Sequence, residues 1–257
     1  MHFQRIFQIL ISDRPAAEAP RSDALERNIA SFRQTYPEAS HHIYGDEELQ
    51  DFLSESFGSE VLAAYRVMRP YAYKADLARY CLLMKFGGLY SDLSYMHVRR
   101  IEPRSRSKMV VFRDIPGHPS WSVSNAIIFA KPGSSVLDRA IQRVLAHCKS
   151  GHYGVSPLDP TGPYMFGRIL AETDDWRAIE FGDSSRLNVD ATGRTNIVKI
   201  MPGGEVVAIR NKTRDGTISD LVPNSGNNYN KLWRDRCVWG ESSSRTLANK
   251  VRRKLGI

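Results

Sequence analysis

Read for its hydrophobic and polar positions, the chain alternates short apolar runs with stretches of helical period. The most informative stretch is residues 71–95, YAYKADLARYCLLMKFGGLYSDLSY. Ala75, Ala78, Leu82, Leu83 and Phe86 recur at roughly helical spacing, which predicts a core-facing stripe, while Asp76 and Arg79 stand three residues apart on another. Gly87 and Gly88 predict the stop, because glycine tolerates the left-handed conformation that commonly ends a helix. Leu89 and Tyr90 then predict a short strand leading to Asp92 and Ser94. A unit of this kind can aim two acids and an arginine at one point.

The flanking patterns supply the rest of an open α/β sheet. RIFQILIS is a compact apolar run rich in β-branched residues and predicts a buried first strand. Ser22 is placed to cap a helix whose Leu25, Ile29, Phe32 and Tyr36 share a face, closed by Pro37. HHIYGDEEL predicts a strand and a turn. Asp46 is then the expected cap of a helix carrying Leu49, Phe52 and Leu53 inward, and a separate helix is expected over Val61–Met68. KMVVFRD and SNAIIFAK read as two strands, and Ser135–Cys148 as a helix burying Val136, Ala140, Ile141, Val144 and Leu145. Residues 183–230, rich in Gly, Asp, Asn and Ser around strands such as EVVAIR, predict irregular walls. Ligands of such sheets sit outside the carboxyl ends of strands, where Asp92 falls. Residues 1–240 read as one domain and 241–257 as a basic amphipathic tail.

Composition narrows the picture. A chain of 257 residues, 42% hydrophobic and 25% charged, can bury a sizeable core. No run approaches the roughly 20 apolar residues of a membrane span, and FQRIFQILI lacks the small-residue cleavage site of a signal peptide, so a cytoplasmic location is expected. Cys81, Cys148 and Cys237 are odd in number and widely spaced, which suggests neither a disulfide framework nor a zinc site. The net charge of +8 favours anionic partners. Without zinc-finger spacing, an RNA-binding aromatic signature or a glycine-rich phosphate loop, nucleic-acid binding is disfavoured. Part of the charge sits in the tail, where Arg245, Lys250, Arg252, Arg253 and Lys254 accompany Leu247, Val251 and Leu255 at four-residue intervals. That pattern fits either a helix lying on an anionic membrane surface, at the inner face, or an ordinary solvated terminal helix. The pair Asp76 and Arg79 alone also fits an exposed helix ion pair, Asp92 a turn cap, and Tyr90 and Phe7 core aromatics. The histidines show no metal-ligand spacing.

ADLARYCLLMKFGGLYSDLS resembles the helix and DXD segment, approximately SDLLRYxILYKYGGIYxDxD, of the sugar transferases of glycosyltransferase family 32. RIFQILI resembles the family opening, approximately KIIFQTW. SNAIIFAKPGSSVL and TGPYMF resemble its later SNAFIxSKPGHPFL segment and TGP loop. The resemblance implies a single GT-A-like, Rossmann-like domain, an open mixed sheet flanked by helices. It also implies a UDP- or GDP-sugar donor, transfer with retention of anomeric configuration, and a surface glycan or lipid-linked glycan as acceptor. Carried over by position, Asp76 resembles the aspartate that hydrogen-bonds donor-sugar hydroxyls and Arg79 the arginine near sugar and diphosphate. Tyr90 and Asp92 resemble the tyrosine and first DXD aspartate near nucleotide and metal. Phe7, Gln8 and Ile9 are expected to line the base pocket, with Asn125 and Thr161, Gly162 and Pro163 on the sugar and acceptor side. A divalent cation, manganese or magnesium, is implied at Asp92 and Ser94.

This sequence departs from the family pattern at three places. Ser94 replaces the second DXD aspartate, and a neutral hydroxyl is a poorer ligand for a hard cation. Leu10 stands where a tryptophan is expected after the first strand. NNYNKLW, with Asn228 and Trp233, stands where relatives carry a histidine-containing segment. Transfer chemistry builds negative charge on the departing diphosphate, which Arg79, Lys74 or a metal ion can each stabilise. The substitutions at 94 and 10 also fit a catalytically degraded sugar-nucleotide-binding or assembly protein with the same fold.

Overall fold

The computed structural model describes residues 3–188, 195–212, 217–223 and 227–240, so the expected basic tail lies outside the described residues. The opening apolar run forms β1 (Arg5–Ile9). Phe7 and Ile9 enter one core and Ile6 the core on the other face, which explains a run with no polar alternation. Ser22 caps α1 (Asp23–Thr35) by accepting a hydrogen bond from the Leu25 N–H, and Leu25, Ile29 and Phe32 are buried. β2 (Ser40–Tyr44) follows, parallel to β1.

The two helices expected next meet end to end in α2 (Asp46–Val67), where Gly58, at φ 80°, breaks the helical backbone between them. Its cap is Gly45, not Asp46. The Asp46 carboxylate instead accepts hydrogen bonds from Tyr65, at 2.8 Å, and Gln50, and pairs with Lys74 at 3.2 Å. These long-range partners compete successfully with the local cap.

α3 (Tyr71–Phe86) is buried around most of its circumference rather than along one stripe. Tyr73, Leu77, Tyr80 and Cys81 are buried along with Ala78, Leu82 and Leu83, and so are Asp76 and Arg79. A helix enclosed on several sides has no solvated face to show in its periodicity. Gly87 ends it at φ 62°, donating its N–H to the Leu83 carbonyl, and β3 (Gly88–Ser91) begins immediately.

The remaining elements are β4 (Tyr95–His97), β5 (Met109–Arg113), β6 (Val123–Ala130), α4 (Ser135–Ser150), α5 (Pro163–Ala171), β7 (Ile179–Asn188), β8 (Thr195–Ile200), β9 (Val206–Arg210) and α6 (Tyr229–Arg234). The sheet order is β2-β1-β3-β6-β5-β7-β8-β9-β4, mixed in direction. α4 buries the expected apolar face. Residues expected as irregular walls partly form a meander, β7-β8-β9, that extends the sheet; Ile197, Val198, Val207 and Ala208 are buried in it. A core of α2, α3, α4 and α5 side chains covers one face of the sheet and α1 packs on the other. Cys81, Cys148 and Cys237 are not joined in disulfides. Among the described residues, no helix is long and apolar enough to cross a membrane.

The junction between α3 and β3 sets where the acids point. Gly88 has φ 111°, and a Cβ there would lie 2.5 Å from the Arg5 carbonyl oxygen of the adjacent strand. Gly88→Ala therefore combines a disfavoured backbone with a main-chain clash and is expected to cost at least about 2 kcal/mol. Urea unfolding checks this, and an unchanged midpoint contradicts it.

Candidate active site

Three elements converge at the carboxyl ends of β1 and β3. The middle of α3 brings Asp76 and Arg79, the turn after β3 brings Asp92 and Ser94, and the start of β6, antiparallel to β3, brings Asn125. The Asp92 N–H donates to the Ala126 carbonyl at 2.7 Å, which stitches the turn to β6. The Tyr95 N–H donates back to the Asp92 carbonyl at 3.1 Å, so Asp92 and Ser94 share one tight turn.

Arg79 is 4% exposed and lies at the centre. Its guanidinium contacts Asp76 at 3.1 Å and Asp92 at 3.3 Å, donates to the Asn125 carbonyl at 2.6 Å and to the Ala75 carbonyl at 3.1 Å, and stacks over the Tyr90 ring at 4.6 Å. Burial alone disfavours its charge, but Asp92, Tyr90 and Asp76 outweigh that and hold it more firmly protonated than an ordinary arginine. Asp76 accepts hydrogen bonds from Asn125 Nδ2 at 2.8 Å and Thr161 Oγ1 at 2.7 Å. Burial pushes its carboxyl above the usual range against the pull of Arg79 and Thr161. Asn125 Nδ2 also donates to the Tyr80 hydroxyl at 2.8 Å, and Tyr80 donates to the Thr161 carbonyl at 2.9 Å. Asp92 differs from Asp76: its side chain is 32% exposed, and it accepts the Tyr90 hydroxyl, at 2.7 Å, besides the arginine contact. The cluster thus has one buried and one accessible carboxylate.

These side chains form the floor of a cavity of about 410 Å³. Ile9 and Ile11 line it, as do Gly162, Pro163 and Tyr164 at the start of α5, and Arg210 and Lys212 contribute positive charge. The volume falls in the range of small-molecule sites, and a few convergent polar groups in an otherwise part-apolar pocket mark a binding site.

Residues 22–111 match the family model described as the glycosyltransferase sugar-binding region containing the DXD motif. The chain is 25% identical to the initiation-specific alpha-1,6-mannosyltransferase of Schizosaccharomyces pombe over 70% of its own length and 53% of that enzyme. It is 29% identical to the Candida albicans protein of the same name over 35% of this chain and 28% of that one. The fold is similar to that of the PaToxG glycosyltransferase, with a TM-score of 0.54 and 17% identity over 66% of this chain and 69% of that one. The ligand-free glycosyltransferase domain of the YGT toxin gives a TM-score of 0.51 and 8% identity over 70% of this chain and 80% of that one. Residues 22–111 are thus similar in sequence to the sugar-binding region of DXD glycosyltransferases, and the fold is that of GT-A glycosyltransferase domains. It spans about half the length of the fission yeast relative.

Of the residues picked out for such a transferase, Asp76, Arg79, Asp92, Tyr90, Asn125, Ser94, Ile9, Gly162 and Pro163 all line the cavity. Phe7 and Gln8 do not. Phe7 lies mid-strand beneath Tyr44 and Phe86, and Gln8 points to the opposite face, where its Oε1 is 3.0 Å from His41 Nε2. Only the residue at the strand's carboxyl end reaches the opening. Thr161 is fully buried and reaches the site through Asp76. Leu10, in the tryptophan position, is buried in the core. Lys74 is drawn away to Asp46. Asn228 caps α6 and Trp233 donates to the Tyr153 carbonyl, while Asn227, Tyr229 and Asn230 line the cavity instead. Sequence reasoning missed Arg210 and Lys212, whose only signal was a basic pair at the end of EVVAIRNK, and also Asp114 and His118, whose adjacency depends on a loop.

Among the described residues, no cluster of three His, Cys, Asp or Glu side chains is placed to hold a metal. The turn offers one accessible carboxylate, at Asp92, and one hydroxyl, at Ser94. That set suits a cation whose remaining oxygen ligands come from a phosphorylated substrate and water, as magnesium commonly binds.

The contrast between the two carboxylates makes a prediction. Arg79→Ala strands Asp76 as an uncompensated buried acid and is expected to cost about 3–5 kcal/mol of stability. Asp92→Asn, at a partly solvated position, is expected to cost less than about 1 kcal/mol while impairing ligand binding. Chemical unfolding of both variants checks this, and equal losses contradict the assigned geometry.

Proposed function

We propose that the chain transfers a hexose, of the mannose type, from a UDP- or GDP-sugar to a surface glycan or lipid-linked glycan, with retention of anomeric configuration. The observation that carries this is the buried Arg79 cluster on the floor of a cavity that also exposes Asp92. The mannose preference rests on the names of the two yeast relatives.

The chemistry follows from the placement of charge. Asp76 already accepts from Asn125 and Thr161, and its remaining lone-pair direction can take a sugar hydroxyl, orienting the ring for attack. Arg79 cannot swing, because Asp76, Asp92 and two backbone carbonyls hold it. It therefore presents a fixed positive group to the charge that develops on the leaving oxygen, without reorganisation. At an effective dielectric near 20, a unit charge about 4 Å away contributes roughly 4 kcal/mol.

Two carboxylates against one guanidinium leave the floor with excess negative charge, which opposes a diphosphate. Arg210 and Lys212 on the cavity wall offset part of that repulsion. A manganese or magnesium ion, held on the protein side by Asp92 and Ser94, would supply the rest as a Lewis acid. Because Ser94 contributes only a neutral oxygen, the ion is expected to arrive with the donor rather than to reside in the empty protein.

Nucleoside diphosphate release from a panel of UDP- and GDP-sugars tests the function. Asp76→Asn and Asp92→Asn are each expected to lower release at least about 100-fold while remaining folded, and chelator is expected to suppress the wild-type rate until manganese or magnesium is restored. Full release by both variants contradicts the site. Tight nucleotide-sugar binding with no release, across the panel and with metal present, identifies a sugar-nucleotide-binding protein instead.

A further inference from the structure

The cavity has a second cluster of side chains that the donor site does not use. Asp114 follows β5, and one of its oxygens accepts hydrogen bonds from His118 Nδ1 and Ser122 Oγ, both at 2.7 Å, while the other accepts the Ile115 N–H at 2.8 Å. Burial by itself raises an acid, but here the bonds from His118 and Ser122 prevail and hold the Asp114 carboxyl below its ordinary range. A carboxylate accepting from Nδ1 fixes the neutral imidazole with Nε2 as its acceptor. His118 lines the cavity and keeps a partly exposed ring.

Beside this dyad lies an aromatic surface. Tyr164, in the first turn of α5, lines the cavity and meets the His118 ring edge-on at 5.8 Å. Trp121 meets Tyr164 edge-on at 5.1 Å, is 39% exposed, and is braced by the Arg168 guanidinium at 4.6 Å. The placement is built in by close packing. A Cβ at Gly167 would lie 2.1 Å from the Trp121 carbonyl oxygen, so only glycine lets the loop rest on α5 at this depth. The aromatic surface thus runs from the cavity wall to the exterior on a fixed backbone.

A pyranose has an apolar C–H face and a rim of hydroxyls. Aromatic rings bury the former, and a fixed imidazole and carboxylate hydrogen-bond the latter. We propose that Asp114, His118, Tyr164 and Trp121 form an acceptor subsite that holds a terminal pyranose of an oligosaccharide against the donor cavity. This rests on the glycosyl-transfer function above. Interleaving of rings with Asp, His and Ser suits a sugar better than a lipid chain, which would need a continuous apolar groove.

The test is an array of pyranose oligosaccharides, probed with the full chain in saturating UDP or GDP, beside titration of the same nucleotides alone. The wild type is expected to retain at least one oligosaccharide class, and Trp121→Ala and His118→Ala to weaken that retention about tenfold or more. Trp121→Phe, which keeps a ring, is expected to stay within about threefold of wild type, and all three variants to keep nucleotide affinity within about twofold. Failure of the wild type to retain any oligosaccharide overturns the subsite, as does equal retention by the variants. A parallel loss of nucleotide affinity overturns it too, because the aromatic surface then belongs to the donor base. Absence of nucleotide binding by the wild type refutes the transfer function itself, separately from the glycan arm.

Discussion

A buried guanidinium cannot be left without partners, and the demand of Arg79 for them organises this site. Four polar contacts hold it: Asp76 from its own helix, Asp92 from the turn after β3, and the carbonyls of Ala75 and Asn125. Because these partners come from α3, β3 and β6, the ion cluster ties together three elements distant in sequence. Removing the charge from water is costly, so the protein must supply partners for it, the buried Asp76 and the two carbonyls above all. The same requirement makes the cluster rigid, and rigidity is what a site needs if it is to stabilise developing charge without moving.

The fold supplies the position. Parallel pairing of β1 with β3 puts Ile9 and Asp92 at the same end of the sheet, and the antiparallel β6 starts where those strands finish. α5 then approaches from the side with Pro163 at its first position, a residue whose missing N–H costs nothing there. The Thr161 hydroxyl and carbonyl bind Asp76 and Tyr80, so this loop is anchored to α3 through the network that holds the acids. The Arg79 cluster and the aromatic wall at Tyr164 are consequently fixed relative to one another.

The elements were legible where local chemistry decides them. The Ser22 cap, the Gly87 stop, the two-faced β1 and the apolar stripe of α4 each follow from residue type and spacing. Where long-range partners decide, local reading failed. Asp46 gave up its cap for Tyr65 and Lys74, and α3 hid its orientation because nearly every side is covered. In the site, Asp76, Arg79 and Asp92 were legible because one continuous segment carries them all. Phe7 and Gln8 were misplaced because adjacent strand residues point to opposite faces and only the terminal one meets the opening. Arg210 arrives at the end of β9, and Lys212, Asp114 and His118 on loops, whose approach no spacing encodes.

The most direct measurement is a crystal structure of the chain with a non-hydrolysable UDP- or GDP-hexose. The sugar hydroxyls are expected within hydrogen-bonding distance of Asp76 and Arg79, with the diphosphate beside Asp92. A nucleotide sugar bound elsewhere, with Arg79 and its two carboxylates untouched, contradicts the assignment of this cavity.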